Sequence, residues 1–411
     1  MMQTKYDFLS LYYLCNMNDI VIIGAGAAGC FCAAEIARLR PEWHVSVFEA
    51  APRPMMKLAV TGGGRCNITN SFRDVESLSD VYPRGTNLMK RLLHSFGPSD
   101  CLSWFEERGV RFVTQDDGCV FPASQDAMQI VRTLERSMRE GGVKLYCGRK
   151  VTAVDEDLTV HFEGGSVKPD AVVLTTGGST ARLLSGTGTE LVPDVPSLFT
   201  LKIDDEKLRS LMGTVVENVS LGIAGTRFRS RGTLLLTDWG ISGPATLRLS
   251  SYAARWLASE QYRGTLLVNW LDGSEQGVRE RLAAMSEGTR TVANSHPSEL
   301  SDRLWRTLVE RAGIRLDARW AELGSKGLAR LVNTLISDSY PINGRARFKE
   351  EFVTCGGVSL NEVRADSLES RRIPGLYFAG EVLDIDAVTG GFNLQAAWTT
   401  AFVVAKSLSN S

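Results

Sequence analysis

The sequence predicts an α/β fold in which both ends of the chain build one parallel sheet, interrupted by a β-rich insertion and a small helical one. Three observations carry this expectation. Asp19–Ile23 is a continuously apolar, β-branched run that leads at once into glycines and an Ala-rich helical stretch. Far along the chain, Gly375–Phe378 repeats the pattern and leads through further glycines into a second Ala-rich stretch, Leu394–Ser407. Between the two, period-two alternation gives way to amphipathic helical spacing.

At 411 residues the chain exceeds what one hydrophobic core usually holds. Its 44% apolar and 23% charged residues are ordinary for a soluble globular protein. A formal charge of −1 gives no electrostatic reason to expect nucleic acid or an anionic membrane as partner. No apolar run approaches the ~20 residues a spanning helix needs. The cysteines, Cys15, Cys30, Cys32, Cys66, Cys101, Cys119, Cys147 and Cys355, form no C-x-x-C and match neither a zinc site nor a disulfide framework. Reduced thiols in a cytoplasmic protein without a metal are therefore expected. Phe8–Cys15 faintly resembles a signal peptide, but it runs into the first strand with no cleavage site. Met17 precedes that strand, so residues 1–16 are expected to be a tail from an upstream start rather than an export signal.

The first strand is followed by Gly24-Ala25-Gly26-Ala27-Ala28-Gly29, a full G-x-G-x-x-G, then the helical stretch Cys30–Leu39 and a second strand, His44–Phe48, ending at Glu49 and Ala50. Gly24 permits the tight turn, Gly26 lets the backbone approach a pyrophosphate, and Gly29 allows close helix–strand packing. The helix start offers N–H donors and a positive dipole end to phosphates. Glu49 follows Gly29 at the spacing from which an acid accepts both ribose hydroxyls, which favours FAD or NAD over NADP. A plain βαβ unit would explain the glycines alone, but not the terminal acid as well.

Two further features favour FAD. Lys57-Leu58-Ala59-Val60-Thr61-Gly62-Gly63-Gly64-Arg65-Cys66-Asn67 makes a flexible, cationic, N–H-rich loop suited to phosphate or flavin carbonyls. At the far end, Gly380 permits close backbone approach and Glu381 or Asp384 can bond a ribityl chain. Gly390, Gly391, Phe392, Asn393 and Leu394 then open a helix whose dipole can face the flavin N1/O2 edge. Ala171–Thr176, followed by Gly177-Gly178, reads as another strand ending in a close approach, and Lys144–Val154 (with Val151) and Leu158–Phe162 read as a small meander.

These residues together resemble the YhiN-like bacterial flavoproteins, the aminoacetone oxidase family. The shared motifs are GAGAAG, Thr61–Asn70 (TGGGRCNITN), Gly240–Leu247 (GISGPATL), Val353–Leu360 (VTCGGVSL) and Phe378–Trp398 (FAGEVLDIDAVTGGFNLQAAW). The resemblance spans nearly the whole chain beyond residue 17. It implies a Rossmann-type FAD-binding domain of residues 18–190 and 344–411, a β-rich domain of 191–273 and 339–343, and a helical domain of 274–338. Two segments depart from the family pattern: a longer Gly-Ser-Thr-Gly-Asp-Gly-Tyr stretch shrinks here to Ser185–Thr189, and the segment before Gly-x-Ser-Gly-Pro reads Thr237-Asp238-Trp239-Gly240 without the family's His. Both leave a relative's activity untransferred.

Within the insertion, Gly232–Thr237 and Gly264–Asn269 read as strands, and Leu300–Arg311 and Lys326–Ile336 as helices. The helical piece is nearly charge-balanced and offers no phosphate-neutralising stripe, which suits a lid or a partner-contact domain. A flavin carries its own electron chemistry, so no catalytic residue is assigned. Cys66 lacks a nearby resolving cysteine and, like Cys355, reads as a packing residue; Asp238 reads as a turn residue. Tyr340, Arg345 and Arg347 fit either a substrate mouth or a surface junction. Three functions remain: an NAD(P)H-dependent reductase of a small unsaturated or ketone-conjugated molecule, a flavin amine oxidase or dehydrogenase, and a non-catalytic flavin-bearing binding protein. With no second G-x-G-x-x-G, NAD(P)H would dock only transiently.

Overall fold

The computed structural model describes residues 19–178, 182–286, 290–346 and 353–410. Phe8–Cys15, Met17 and Arg347 lie outside the described residues. Two compact units form, Met1–Asp194 with Val353–Ser411, and Val195–Phe352.

The first unit is built on a five-stranded parallel sheet in the order Leu376–Phe378, Ala171–Leu174, Asp19–Ile23, His44–Phe48, Lys144–Tyr146. Ile20–Ile23 and Val172–Leu174 are buried, as strands covered on both faces must be. The helix Ala27–Leu39 packs along the last helix, Phe392–Asn410. Phe31, Phe96, Trp104, Phe105 and Trp398 cluster around this contact. Glu35 is fully buried in that apolar setting, and it is satisfied: Arg38 donates to both of its oxygens at 2.7 and 2.9 Å, and Trp104 Nε1 donates at 2.9 Å.

One segment differs from the expectation. Lys144–Val154 is two strands, not one. Gly148 adopts φ of +69°, in the left-handed region, and turns the chain out of the parallel sheet. Lys144–Tyr146 completes that sheet, and the meander consists of Val151–Val154, Val160–Phe162 and Gly165–Val167.

The second unit holds a six-stranded antiparallel sheet in the order Leu201–Lys202, Gly240–Ser242, Arg229–Thr237, Val215–Ile223, Arg263–Asn269, Asp338–Asn343. Its inward residues, among them Val216, Leu234 and Leu266, share one core with Leu282, Trp305 and Leu335 of the helices Glu275–Met285, Asp302–Arg311 and Gly324–Ser337. Asp338 is the polar centre of that core. Its carboxylate accepts from Tyr340 OH at 2.6 Å, Trp270 Nε1 at 3.2 Å and Arg311 Nε at 2.6 Å. Asp338→Ala would strand all three donors, two of them buried, and is expected to destabilise this unit by about 3–5 kcal/mol. Chemical denaturation of the two proteins, followed by tryptophan fluorescence, measures the difference.

Candidate functional site

Three strand ends meet at the carboxyl edge of the parallel sheet, where α/β folds place their ligands. The first contributes Gly24–Gly29. A Cβ on Gly29 would lie 1.9 Å from Gly24 O and 2.6 Å from Thr175 Oγ1, so only glycine lets the helix start this close to the strands. A Cβ on Gly26 would meet nothing within 4 Å, which leaves open space in front of the helix. That helix has no side-chain cap and no acid in its first turn. The N–H groups of Ala27, Ala28 and Gly29 therefore remain available to an anion. Glu49 ends the neighbouring strand, and its oxygens accept from Ala25 N and Ala51 N at 2.7 Å each. A carboxylate oxygen accepts more than one bond, so this anchoring leaves capacity for ribose hydroxyls. Ala50 beside it is exposed.

The second strand end supplies Thr175–Gly178. Thr175 Oγ1 lies 2.7 Å from Gly24 O and ties this strand to the glycine turn. The third supplies Gly380, where a Cβ would come within 2.8 Å of Ala28 Cβ. Next to it, Glu381 Oε1 accepts from Thr354 N at 2.6 Å, and its Oε2 lies 3.7 Å from Lys57 Nζ. A Cβ on Gly177 would sit 3.2 Å from the same Oε2, so Lys57, Gly177 and Glu381 share one spot. Asp384 is fixed through its backbone N–H to Val358 O at 3.0 Å.

The triple-glycine loop continues a helical segment, Met56–Gly64, that kinks at Thr61. Gly62, Gly63 and Gly64 take φ of +58°, +68° and +82°, a run of left-handed backbone that three L-residues with side chains would not sustain. Cβ atoms on Gly63 and Gly64 would meet nothing within 4 Å. Arg65 folds over the Phe121 ring, 4.3 Å from its centroid. Asn67, with its amide oriented to satisfy both ends, donates to Thr69 O at 2.9 Å and accepts from Gly391 N at 3.2 Å. Asn70 Nδ2 donates to Gly390 O at 3.1 Å. The loop is thus joined to the start of the last helix. There Asn393 is spent on Ala387, with Oδ1 and Nδ2 both at 2.9 Å, and does not cap the helix. The N–H groups of Phe392, Asn393 and Leu394 face no protein acceptor among the described residues.

Two uncapped helix starts, the space before Gly26 and Gly63, and the Glu49 carboxylate just past His44–Phe48 fit a dinucleotide with a second ring system. Val151 lies on the meander, paired with Phe162, and two residues before it the Arg149 N–H donates to Glu49 O at 2.8 Å. Cys66 is fully buried, and burial pushes its thiol up to about 12. Cys355 is likewise buried, and Asp238 lies in the turn between two strands, as expected. Tyr340 lines no mouth: it is buried in the second unit's core, and Arg345 lies over Tyr262.

Sequence reasoning missed Thr175, Thr354 and one buried ion pair. Arg84 grips Asp386 with both arms of its guanidinium, the Nε bond measuring 2.5 Å, and Asp386 is fully buried. With Val388 N–H donating to Val81 O and Tyr82 OH donating to Phe392 O, both at 2.9 Å, this pair fastens the loop before the last helix.

Residues 18–407 match the HI0933-like protein Rossmann domain family, and the chain belongs to it. This bears out the resemblance read from the motifs and makes the chain a FAD-dependent flavoprotein oxidoreductase. A ribosomal RNA dihydrouridine synthase of Escherichia coli is 31% identical, with 95% of this chain and 98% of the relative aligned. One from Haemophilus influenzae is 30% identical over 95% of this chain and 98% of its own length. A 3-dehydro-bile acid delta(4,6)-reductase of Clostridium scindens is 28% identical over 95% and 99%.

Gly29→Ala forces the helix away from the strands and is expected to weaken flavin retention by about tenfold or more, taking overpacking at roughly 1–3 kcal/mol. Flavin absorbance per mole of purified protein measures it. Brief alkylation near pH 8 followed by peptide mass spectrometry is expected to modify exposed Cys147 well ahead of Cys66, whose thiol stays protonated far above that pH.

Proposed function

We propose that this chain reduces a ring carbon–carbon double bond conjugated to a carbonyl, with uridine in RNA as its substrate and NAD(P)H as a transiently bound hydride donor. One observation carries the reading: relatives aligned over 95% of this chain bear names that share one chemistry. A dihydrouridine synthase saturates the C5–C6 bond of uracil, which is conjugated to the C4 carbonyl. A 3-dehydro-bile acid delta(4,6)-reductase saturates olefins conjugated to a 3-oxo group. Uridine is preferred over a steroid because two relatives at 30% and 31% identity carry the RNA name. The dienone stays as the second reading, on the Clostridium scindens relative.

Bound FAD, once reduced, supplies the hydride. In this reading Gly24, Gly26, Ala27, Ala28 and Gly29 hold the pyrophosphate, and Glu49, Ala50 and Val151 flank the adenosine end. Lys57, Gly62–Asn67 and Thr176–Gly178 line the middle, with Glu381 and Asp384 toward the ribityl chain. Gly380 and Gly390–Leu394 meet the ring, where the uncapped N–H groups of Phe392, Asn393 and Leu394 offset negative charge. The RNA reading departs from the expectation drawn from the overall charge of −1. That sum conceals an asymmetry, because Val195–Phe352 carries 22 Lys/Arg against 18 Asp/Glu.

Mixing the yellow protein with NADH or NADPH without oxygen is expected to bleach the flavin band with one of them. Unmodified ribosomal RNA should then restore the colour and gain dihydrouridine, read by nucleoside mass spectrometry. Recovery with a 3-oxo-4,6-diene alone would move the assignment to the second reading. Failure of both nucleotides to bleach would remove NAD(P)H as donor.

A further inference from the structure

One end of the sheet in Val195–Phe352 gathers arginines and aromatic rings that flavin chemistry does not use. The register brings them together: Ile223 pairs with Leu266, Arg263 with Asn343, and Ala224 N–H donates to Thr265 O at 2.9 Å. Arg227, Arg229, Arg255 and Arg263 are exposed at this end, and Arg345 is half-buried over the Tyr262 ring, 5.1 Å from its centroid. The segments 222–229, 252–267 and 341–346 hold these five arginines and a single carboxylate, Glu260. Arg227 and Arg263 have no acidic partner among the described residues. Arg229 is fixed without being neutralised, since its Nη1 donates to Phe228 O at 2.7 Å and Thr226 O at 2.9 Å. Phe228 and Trp256 stand beside it as half-buried rings, 6.4 Å apart.

The helical side of the same unit is arranged differently. There Arg279 meets Glu275, Arg281 meets Glu299, Arg306 meets Asp302 and Arg315 meets Asp317. Those four arginines each meet a carboxylate, whereas Arg227, Arg229 and Arg263 at the sheet end meet none among the described residues, so a polyanion is attracted to that end. Half-buried rings among the arginines add stacking surface, which a nucleic acid uses and a featureless polyanion does not.

We propose that this sheet end binds single-stranded RNA, with Arg227, Arg229 and Arg263 on phosphates and Phe228, Trp256 and Tyr262 toward bases. The choice of RNA rests on the substrate reading above; the accumulation of charge does not. The test is fluorescence anisotropy of the flavin-loaded protein with a fluorescein-labelled, uridine-containing single-stranded RNA, titrated across salt concentrations. Arg227→Gln with Arg263→Gln removes two exposed charges, and the melting temperature and flavin content are expected to hold. Affinity at 0.15 M salt should fall roughly tenfold, and the slope of log affinity against log salt should flatten by about 1.4, at ~0.7 per phosphate contact. Equal binding by wild type and double variant overturns the proposal. So does full competition by poly-glutamate or by phosphatidylglycerol vesicles at matched charge, which would assign the surface to an acidic protein or a lipid. Anisotropy needs no turnover, so loss of the RNA-substrate reading and loss of this surface are read separately: the first removes dihydrouridine formation, the second removes the difference between variants.

Discussion

The site depends on an approach between two stretches of chain some 320 residues apart, Asn70 and Gly390 being one of the hydrogen-bonded pairs across it. A Cβ on Gly391 would lie 2.4 Å from Thr69 O, so the second glycine loop reaches the first only because that position has no side chain. Once they meet, buried polar groups hold them. Thr69 Oγ1 donates to Gln395 Oε1 at 2.5 Å, Gln395 Nε2 donates to Thr399 Oγ1 at 3.0 Å, and Thr399 donates to Phe96 O at 2.8 Å. Trp398 Nε1 donates to Ile68 O at 3.0 Å from within the aromatic cluster. Thr69, Gln395, Trp398 and Thr399 are thus all partnered, which is the condition under which buried hydrogen bonds make a structure rigid and specific.

That rigidity sets the chemistry of the cradle. The two helix starts keep free N–H groups because the side chains that might have capped them are engaged elsewhere or absent. Asn393 is held by Ala387, and Gly26 has no side chain to offer. Donors fixed in this way need no rearrangement when negative charge arrives, so their electrostatic effect is not spent on reorganisation. The same logic makes Cys66 inert. It sits at φ of +62° in a buried turn where a thiolate would be costly, so the loop carrying it serves geometry and not thiol chemistry.

Much of this was legible in the sequence where the physical reason is local. The glycines of Gly24–Gly29 follow a spacing that the turn and helix start require, and the short, β-branched apolar run before them suits a doubly covered strand. The triple glycine and the Gly390–Leu394 helix start were readable for the same reason. Thr175 was not, because a threonine at a strand end follows no pattern; its role exists only once Gly24 lies alongside. Arg84 and Asp386 are separated by 302 positions and share no periodicity, so their pairing is a property of the fold. The stretch Lys144–Val154 misled because alternation is blind to one glycine taking a left-handed turn. Overall charge is uninformative in another way, because it averages an acidic unit with a basic one.

The strand Leu376–Phe378 and the helix Phe392–Asn410 are the last parts of the first unit to leave the ribosome, yet the strand borders Ala171–Leu174 and the helix covers Ala27–Leu39. The unit Val195–Phe352 has all of its strands and its own core well before that. During synthesis the inserted unit can therefore be folded while the parallel sheet still lacks an edge and a covering helix. The cofactor cradle closes only once Phe392–Asn410 has emerged, so a product truncated before that helix would lack a finished place to hold flavin.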